Sequence, residues 1–473
     1  MKPNYEMVIG LEVHAELKTE TKIFCSCSTA FGAAPNTQCC PVCMGMPGTL
    51  PVLNEKVVEY AVKAGLATHC RIAPFSKEDR KNYFYPDLPK AYQISQYDLP
   101  LCSQGYLEIE CGGKKRIGIT RIHIEEDAGK LVHQPDGGTL CDYNRCGVPL
   151  IEIVSEPDLR SADEVDAYLK KLRSILVYTG VSDGKMQEGS LRCDVNLSVR
   201  KKGAAEFGTR TEMKNLNSFQ FIGKAIAYEF RRQVEALEAG ESIVQETRRF
   251  DEKTGKTYSM RSKEDADDYR YFPDPDLVPI ELSEEYVEQV KKTIPRLPDE
   301  RKAAYMEQYG LKAADAENLV SEREIADAFE AAAKQTKDAR TLAHLILSEG
   351  FRLLGAGETQ IPIAPEHLAK LADLLAEGRI NNATGKKLFA QLWERDGDPA
   401  ALAEEQNLWQ ISDESVLRPL AESVLARNPK TVESYRSGKV QAMQALIGQT
   451  MGAAGGQGNP AVIRRIVEEL LKQ

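Results

Sequence analysis

No stretch of this chain approaches about 18 consecutive apolar residues, which argues against a membrane-spanning helix. The opening Met1-Lys2-Pro3-Asn4-Tyr5-Glu6 lacks the basic-then-apolar layout of a signal peptide, so the expectation is a cytoplasmic protein. Positive charge is not in surplus either: 61 Lys and Arg against 71 Asp and Glu leave a formal net charge of −10. Coating nucleic acid through bulk charge is therefore excluded, and any RNA partner needs a local site. Cysteine is missing from the last 280 residues (473 minus 193), because all eleven cysteines lie between Cys25 and Cys193. An odd, clustered set argues against a disulfide framework and for a metal. Neither GxxxxGK[ST] nor a GxGxxG that follows a strand and opens a helix occurs, so a nucleotide site here must be built on a sheet.

What is present is an ordinary globular composition, 42% hydrophobic and 28% charged over 473 residues, which predicts two to four domains and excludes a fibre or a disordered tail. Five cysteines fall in Cys25-Ser26-Cys27 and Cys39-Cys40-Pro41-Val42-Cys43. Two tight pairs across a short loop supply four thiolates to a tetrahedral zinc, and the Pro of Cys-Pro-x-Cys fixes the bend of a metal knuckle. The two-residue gap favours Cys40 over Cys39, giving Cys25, Cys27, Cys40 and Cys43. Cys70, Cys102, Cys111, Cys141, Cys146 and Cys193 fit the plainer role of small buried hydrophobes.

Short alternating segments rich in Ile, Val, Thr and Tyr run to about residue 280, with helical stretches near 54–67, 161–179 and 217–239. The pattern predicts an α+β domain on a largely antiparallel sheet. Beyond Ile294-Pro295-Arg296-Leu297-Pro298 the composition turns to Ala, Leu, Glu and Lys at helical spacing. We read three parts: a catalytic domain over 1–295, a helical domain over 296–407 and a small helical tail over 408–473, with seams at Gly355-Ala356-Gly357 and near Asn407. In the tail, Asn459 is a helix cap before Pro460, and Val462, Ile463, Ile466, Val467, Leu470 and Leu471 form an apolar stripe that a three-helix bundle would bury. Gly448, Gly452, Gly455, Gly456 and Gly458 predict a flexible connection before that helix.

Strand alternation points to the chemistry. In Val8–Leu17 the residues Glu12 and His14 share a face opposite Ile9, Leu11 and Val13. Leu191–Arg200 likewise displays Arg192, Asp194 and Asn196, and Arg210, Glu212 and Lys214 repeat the spacing; a solvated sheet face is the plain alternative for each strand alone. Glu152 lies within Pro149-Leu150-Ile151-Glu152-Ile153-Val154, where burial of an unpaired carboxylate is costly and a cation is the economical partner. Another apolar strand ends in Glu125-Glu126-Asp127, and spacing leaves open which of the three matters. Carboxylates from separate strands suit Mg²⁺, which bridges phosphate oxygens. Asp79–Asp87 sets Arg80 and Lys81 beside Tyr83, Phe84 and Tyr85, a phosphate or base contact or simply a packed loop, and Asp267–Asp274 is a second polar-aromatic segment.

The segments Val8–His14, Arg80–Asp87, Pro149–Asp158, Gly189–Asn196 and Asp267–Pro273 together closely resemble the B subunits of bacterial aspartyl/glutamyl-tRNA(Asn/Gln) amidotransferases, and the resemblance spans the chain. It implies a cradle domain similar to the glutamine synthetase catalytic fold, a helical domain, and a tail that approaches the tRNA. It implies a carbon–nitrogen ligase that turns Glu-tRNA(Gln) or Asp-tRNA(Asn) into the amide at the expense of ATP. By resemblance Glu12, His14, Glu126 and Glu152 match the Mg²⁺ site and Lys81 a lysine beside it, which selects Glu126 over Glu125. Arg192, Asp194, Asn196, Arg210 and Lys214 are the companion nucleotide-site expectations. The chain also matches the members that carry the four-cysteine zinc motif. Having no recognisable glutaminase signature, it is expected to receive ammonia from an amidase A subunit, with a small C subunit completing a heterotrimer. One departure stands out: Gly452–Gly458 holds no lysine, and residues 408–473 carry eight Lys or Arg against six Asp or Glu, only +2. The competing expectation is a non-catalytic tRNA-binding scaffold; a free-standing ligase for a small amino acid fits poorly with the tail.

Overall fold

Every second residue from Ile9 to Ala15 is apolar, and the strand they form is sealed on that side: Ile9, Leu11, Val13 and Ala15 are at most 1% exposed. The computed structural model describes residues 4–262, 269–355 and 358–472. Asp267 and Asp268, and the seam residues Ala356 and Gly357, lie outside the described residues.

In chain order the strands are β1 (Tyr5–Glu16), β2 (Arg71–Ile72), β3 (Phe75–Ser76), β4 (Asp79–Asn82), β5 (Tyr92–Ser95), β6 (Cys102–Glu110), β7 (Lys114–Glu126) and β8 (Lys130–His133). They continue with β9 (Thr139–Asp142), β10 (Pro149–Ser155), β11 (Leu191–Lys201), β12 (Thr211–Lys214), β13 (Glu246–Asp251), β14 (Lys256–Ser262), β15 (Phe272–Pro273) and β16 (Ile280–Glu281). Nine of them form one sheet in the order β14-β13-β12-β11-β1-β10-β7-β6-β2, with β1 in the middle. Neighbours are antiparallel except β12 and β13. Strand β4 sits in a separate small sheet between β15 and β5.

Three helices cover one face of the large sheet: α1 (Glu55–Ala67), α2 (Ala162–Tyr178) and α3 (Phe219–Glu238). Each starts at a side-chain cap, Asn54, Ser161 and Ser218, which accepts a backbone N–H two or three residues on. Val58, Leu169, Leu172 and Ile222 from these helices share one core with Leu11, Val13, Ile122, Ile153 and Val195 of the strands. Burying one face this way leaves the other for polar side chains. The domain is α+β with a largely antiparallel sheet, as the alternation predicted. Of the cysteines assigned to packing, Cys70, Cys102, Cys146 and Cys193 are buried, while Cys111 and Cys141 are half-exposed.

The chain divides into two compact units, Met1–Leu297 and Pro298–Gln473. The second is helical and holds two apolar cores, one around Phe329, Leu342, Leu371, Leu388 and Phe389, the other around Leu417, Leu446, Ile463, Ile466 and Val467. The tail differs from the expected bundle. It has four helices, Glu414–Arg427, Pro429–Arg436, Gln441–Ala453 and Pro460–Lys472, because Pro429 opens a short helix of its own. Nor is the glycine-rich segment a free linker: Gly448 and Gly452 lie inside a helix, and only Gly455 and Gly456 turn, with φ of 63° and 77°. That turn is tied down by Asn381 Nδ2 donating to Gly456 O at 2.7 Å and Ile411 N to Gln457 O at 2.8 Å. Asn459 Oδ1 accepts from Ala461 N at 3.0 Å, the expected cap.

Candidate active site and metal centre

Gly10, Glu12, His14 and Glu16 of β1 point away from the helices, and pairing extends this polar face across the sheet. His14 lies opposite Glu152 of β10 and Arg192 of β11; Glu152 lies opposite His123 of β7; Glu12 lies opposite Asp194 of β11. Two donor groups result. His14, Glu125 and Glu152 each offer an atom within 4.8 Å of the others, and so do Glu12, Asp194 and Glu212. In the first, His14 Nε2 is 3.4 Å from Glu152 Oε2, and His123 Nε2 is 3.5 Å from Glu125 Oε2. Lys81 Nζ reaches to 3.6 Å from Glu125 Oε1. In the second, Lys214 Nζ is 2.8 Å from Asp194 Oδ2 and 3.4 Å from Glu212 Oε1, and Asn196 Nδ2 donates to Glu12 Oε1 at 3.4 Å.

The electrostatics follow from this crowding. Burial opposes the Glu152 charge, but His123, His14 and Lys81 outweigh it and hold the carboxyl far below the usual range. Burial, then Glu152, Glu212 and Asp194, push Glu12 up. Burial would lower His14, yet its bond to Glu152 holds it above the usual imidazole value. Glu125 Oε2 is buried and accepts no hydrogen bond. Converging carboxylates with spare lone pairs and an imidazole form a donor set that fits a hard divalent cation.

The structure separates the residues expected here. Glu12, His14, Glu152 and Lys81 lie on this face; Glu126, expected with them, does not, and Glu125 stands beside His14 and Glu152 in its place. In β7, Arg121, His123 and Glu125 share the parity that faces Glu152, whereas Glu126 shares the parity of the core residues Ile122 and Ile124. Glu126 accepts from Lys90 Nζ and from Ile94 N on the far side of the sheet, and lines a cavity of about 200 Å³ with Lys22, Cys25 and Cys43. Of the companion residues, Asp194, Asn196 and Lys214 belong to the second group. Arg192 stands on the same face and donates to Asp127 at 2.6 Å, with its Nε buried and unbonded. Arg210 precedes β12, is exposed, and belongs to neither group. His123, Glu125 and Glu212 are participants not chosen from the sequence; strict alternation along β7 and β12 was the available signal.

The two polar-aromatic segments are neighbours. Phe272 of β15 pairs with Arg80 of β4, and Asn82 N donates to Tyr269 O at 2.9 Å. Lys81 Nζ consequently sits 5.2 Å from the Tyr269 ring and 5.9 Å from that of Tyr83, and Tyr97 stacks on Tyr271 at 4.3 Å.

A separate centre lies at the cysteine loop. The sulfurs of Cys25, Cys27, Cys40 and Cys43 all fall within 4.8 Å of one another, so these four residues could hold a metal ion. Cys39 Sγ instead donates to Asn36 O, which resolves the choice in favour of Cys40. The Cys40-Pro41-Val42-Cys43 turn is closed by Met44 N to Cys40 O at 3.0 Å, and Cys40 N donates to Cys43 Sγ at 3.1 Å. A hydrogen bond from Cys25 draws the Cys43 thiol down to about 5 against the opposite pull of burial. Four soft, converging thiol donors fit zinc.

Residues 7–288, which contain both groups and the cysteine loop, match the family model described as the GatB/GatE catalytic domain, and residues 327–471 match the GatB domain. The chain belongs to the GatB family. Among its relatives is the B subunit of the aspartyl/glutamyl-tRNA(Asn/Gln) amidotransferase of Caldicellulosiruptor saccharolyticus, 56% identical over 477 residues that cover 99% of each chain. The B subunits of the same amidotransferase from Thermoanaerobacter pseudethanolicus and Geotalea daltonii are each 54% identical, covering 99% of this chain and 100% and 99% of theirs. No helix among the described residues of this GatB-family chain is long and apolar enough to cross a membrane.

Proposed function

We propose that this chain is the activating subunit of a tRNA-dependent amidotransferase: it binds Glu-tRNA(Gln) or Asp-tRNA(Asn), phosphorylates the side-chain carboxylate with ATP, and forms the amide with ammonia supplied by an amidase A subunit, a small C subunit completing the complex. The observation that carries this reading is the gathering of His14, Glu125 and Glu152 beside Glu12, Asp194 and Glu212 on one polar sheet face, with Lys81 within reach.

A carboxylate is a poor electrophile. One of its oxygens attacks the γ-phosphorus, the bond from that phosphorus to the bridging oxygen breaks, and ADP leaves. Ammonia then attacks the acyl carbon, the carbon–oxygen bond to phosphate breaks, inorganic phosphate departs, and the nitrogen loses a proton. Positioning and fixed charge supply most of the catalysis in such transfers. Lys81, backed by Glu125 and the Tyr83 and Tyr269 rings, holds a positive charge where phosphoryl oxygens would lie. Asp194 and Glu212 hold Lys214, and Asp127 holds Arg192, at the same face. Mg²⁺ held by His14, Glu125 and Glu152, with Glu12, Asp194 and Glu212 available for a second ion, would neutralise phosphate charge there. The Cys25, Cys27, Cys40 and Cys43 centre would hold a structural zinc. The tail, with its net +2, would meet tRNA through few backbone charges.

The test is ADP release on Glu-tRNA(Gln) by the purified complex carrying Glu152→Gln or Glu125→Gln. Each is expected to lose on the order of 100-fold, while glutamine hydrolysis by the amidase persists. Glu126→Gln, altered on the opposite side of the sheet, keeps most of the rate. Unchanged ADP release in E152Q and E125Q would leave only a tRNA-binding scaffold.

A further inference from the structure

Lys22 is fully buried, with 0% of its surface exposed. An ammonium in that position is costly unless an opposite charge faces it. Its Nζ donates to the carbonyl of Tyr143 at 3.2 Å and to Cys43 Sγ at 3.8 Å. Among the described residues no carboxylate comes within 4.0 Å of it. Glu126, which lines the same cavity, is engaged instead by Lys90. The anionic group left to balance Lys22 is the cysteine cluster.

The backbone makes this contact a built one. Lys22 N donates to Cys27 O at 2.9 Å, and Thr21 bridges Ser28, so Lys22 springs from the same hairpin that presents Cys25 and Cys27. Ile23 N donates to Gly147 O at 3.0 Å, which fastens that hairpin to the loop carrying Tyr143. Lys22 is thus held between the metal loop and the sheet domain. Four thiolates around one Zn²⁺ carry a formal charge of −2, more negative charge than the cluster holds without the metal.

We propose that Lys22 is the charge-compensating positioning residue of the Cys25, Cys27, Cys40 and Cys43 centre, its buried ammonium matched to the four-thiolate, zinc-bound form through Cys43 Sγ. This rests on the zinc reading above. Lys22 and the metal then stabilise each other: the ammonium tightens zinc binding, and bound zinc supplies the charge that makes the buried ammonium tolerable. Such coupling is reciprocal by necessity.

The experiment uses the full chain, wild type and Lys22→Met, a variant of similar length and no charge. Zinc content is measured first, then affinity by competition with a chelating dye, and thermal unfolding with and without zinc. K22M is expected to bind zinc about 10- to 100-fold more weakly, the usual cost of removing an outer partner of a metal ligand. Its midpoint should fall below wild type in the zinc-loaded form, and by clearly less in the stripped form, where the negative charge facing Lys22 is reduced. Cobalt loaded in place of zinc should give thiolate-to-metal bands shifted by the loss of the hydrogen bond to Cys43. If K22M does not fold, Lys22→Gln, which keeps a donor and drops the charge, carries the same comparison. Equal zinc affinity, or the same fall of the midpoint in both forms, overturns the proposal and leaves Lys22 a packing residue. A wild-type chain that binds no zinc overturns the zinc reading itself, a result distinct from a variant that binds as tightly as wild type.

Discussion

The carboxyl of Glu16 is hydrogen-bonded to that of Asp127, and Arg192 and Arg145 flank the pair. Burial first, then the Asp127 charge, pushes Glu16 up to about 8. Burial opposes the Asp127 charge, but Arg192 and Arg145 hold that carboxyl below its ordinary value. The signs differ. Above the unfolded value near 4.5 the unfolded chain loses the Glu16 proton while the folded chain keeps it, so this group erodes stability up to about pH 8, by at most about 1.4 kcal/mol per pH unit. Asp127 contributes stability that is present above its unfolded value and lost as pH falls through its folded one. In chelator-treated protein, Glu16→Gln should therefore gain on wild type by about 1 kcal/mol or more between pH 5.5 and pH 8, read by urea unfolding. A difference that stays flat across that range would refute the assignment. The same scale explains what was readable at Glu125 and Glu126. Parity along β7 already set Glu126 with Ile122 and Ile124, but an acidic residue in the core parity is costly without partners, and only the fold supplies Lys90 and the Ile94 N–H to receive it.

At the scale of elements, α3 is fastened to the sheet through one fully buried acid. Glu229 accepts from Thr211 of β12 at 3.1 Å, Thr257 of β14 at 2.9 Å, Gln233 at 3.0 Å and Arg232 at 2.6 Å. Burial works against its charge, but Arg232 and Gln233 keep it ionised below the usual range. Glu229→Leu would remove the buried acceptor shared by Thr211, Thr257, Gln233 and Arg232, and should cost about 3 kcal/mol in denaturant unfolding. Strand β12 carries Glu212 and Lys214, so the loss should also reduce ADP release. A stable variant with full activity would show that the network is dispensable. The helix itself was legible: the stretch predicted near 217–239 is observed as Phe219–Glu238. Its buried acid was not, because the partners come from strands 18 and 28 residues away in sequence.

For the molecule as a whole, separate apolar cores predict more than one unfolding transition. Ile153→Ala in the sheet core and Leu371→Ala in the helical core should each cost about 2–5 kcal/mol. In calorimetry each is expected to shift a different transition, and a single peak moved equally by both would count against independent units. The change of composition near Pro298 and the apolar stripe from Ile463 to Leu471 announced the helical region, since helix periodicity is a local property. The fourth tail helix and the pinned glycine turn were not foreseeable from spacing. They depend on Pro429 and on bonds from Asn381 and Ile411 to the turn.

By itself the sequence determined the α+β class, the polar face bearing Glu12 and His14, the four-cysteine loop and the family, because alternation, helical period and tight cysteine spacing are written within a few residues of one another. Only the tertiary structure decided that Glu125 and not Glu126 meets His14 and Glu152, and that Lys22 faces Cys43. Those outcomes turn on strand register and on which buried charge finds a counterpart, and both are fixed by residues far apart in the chain.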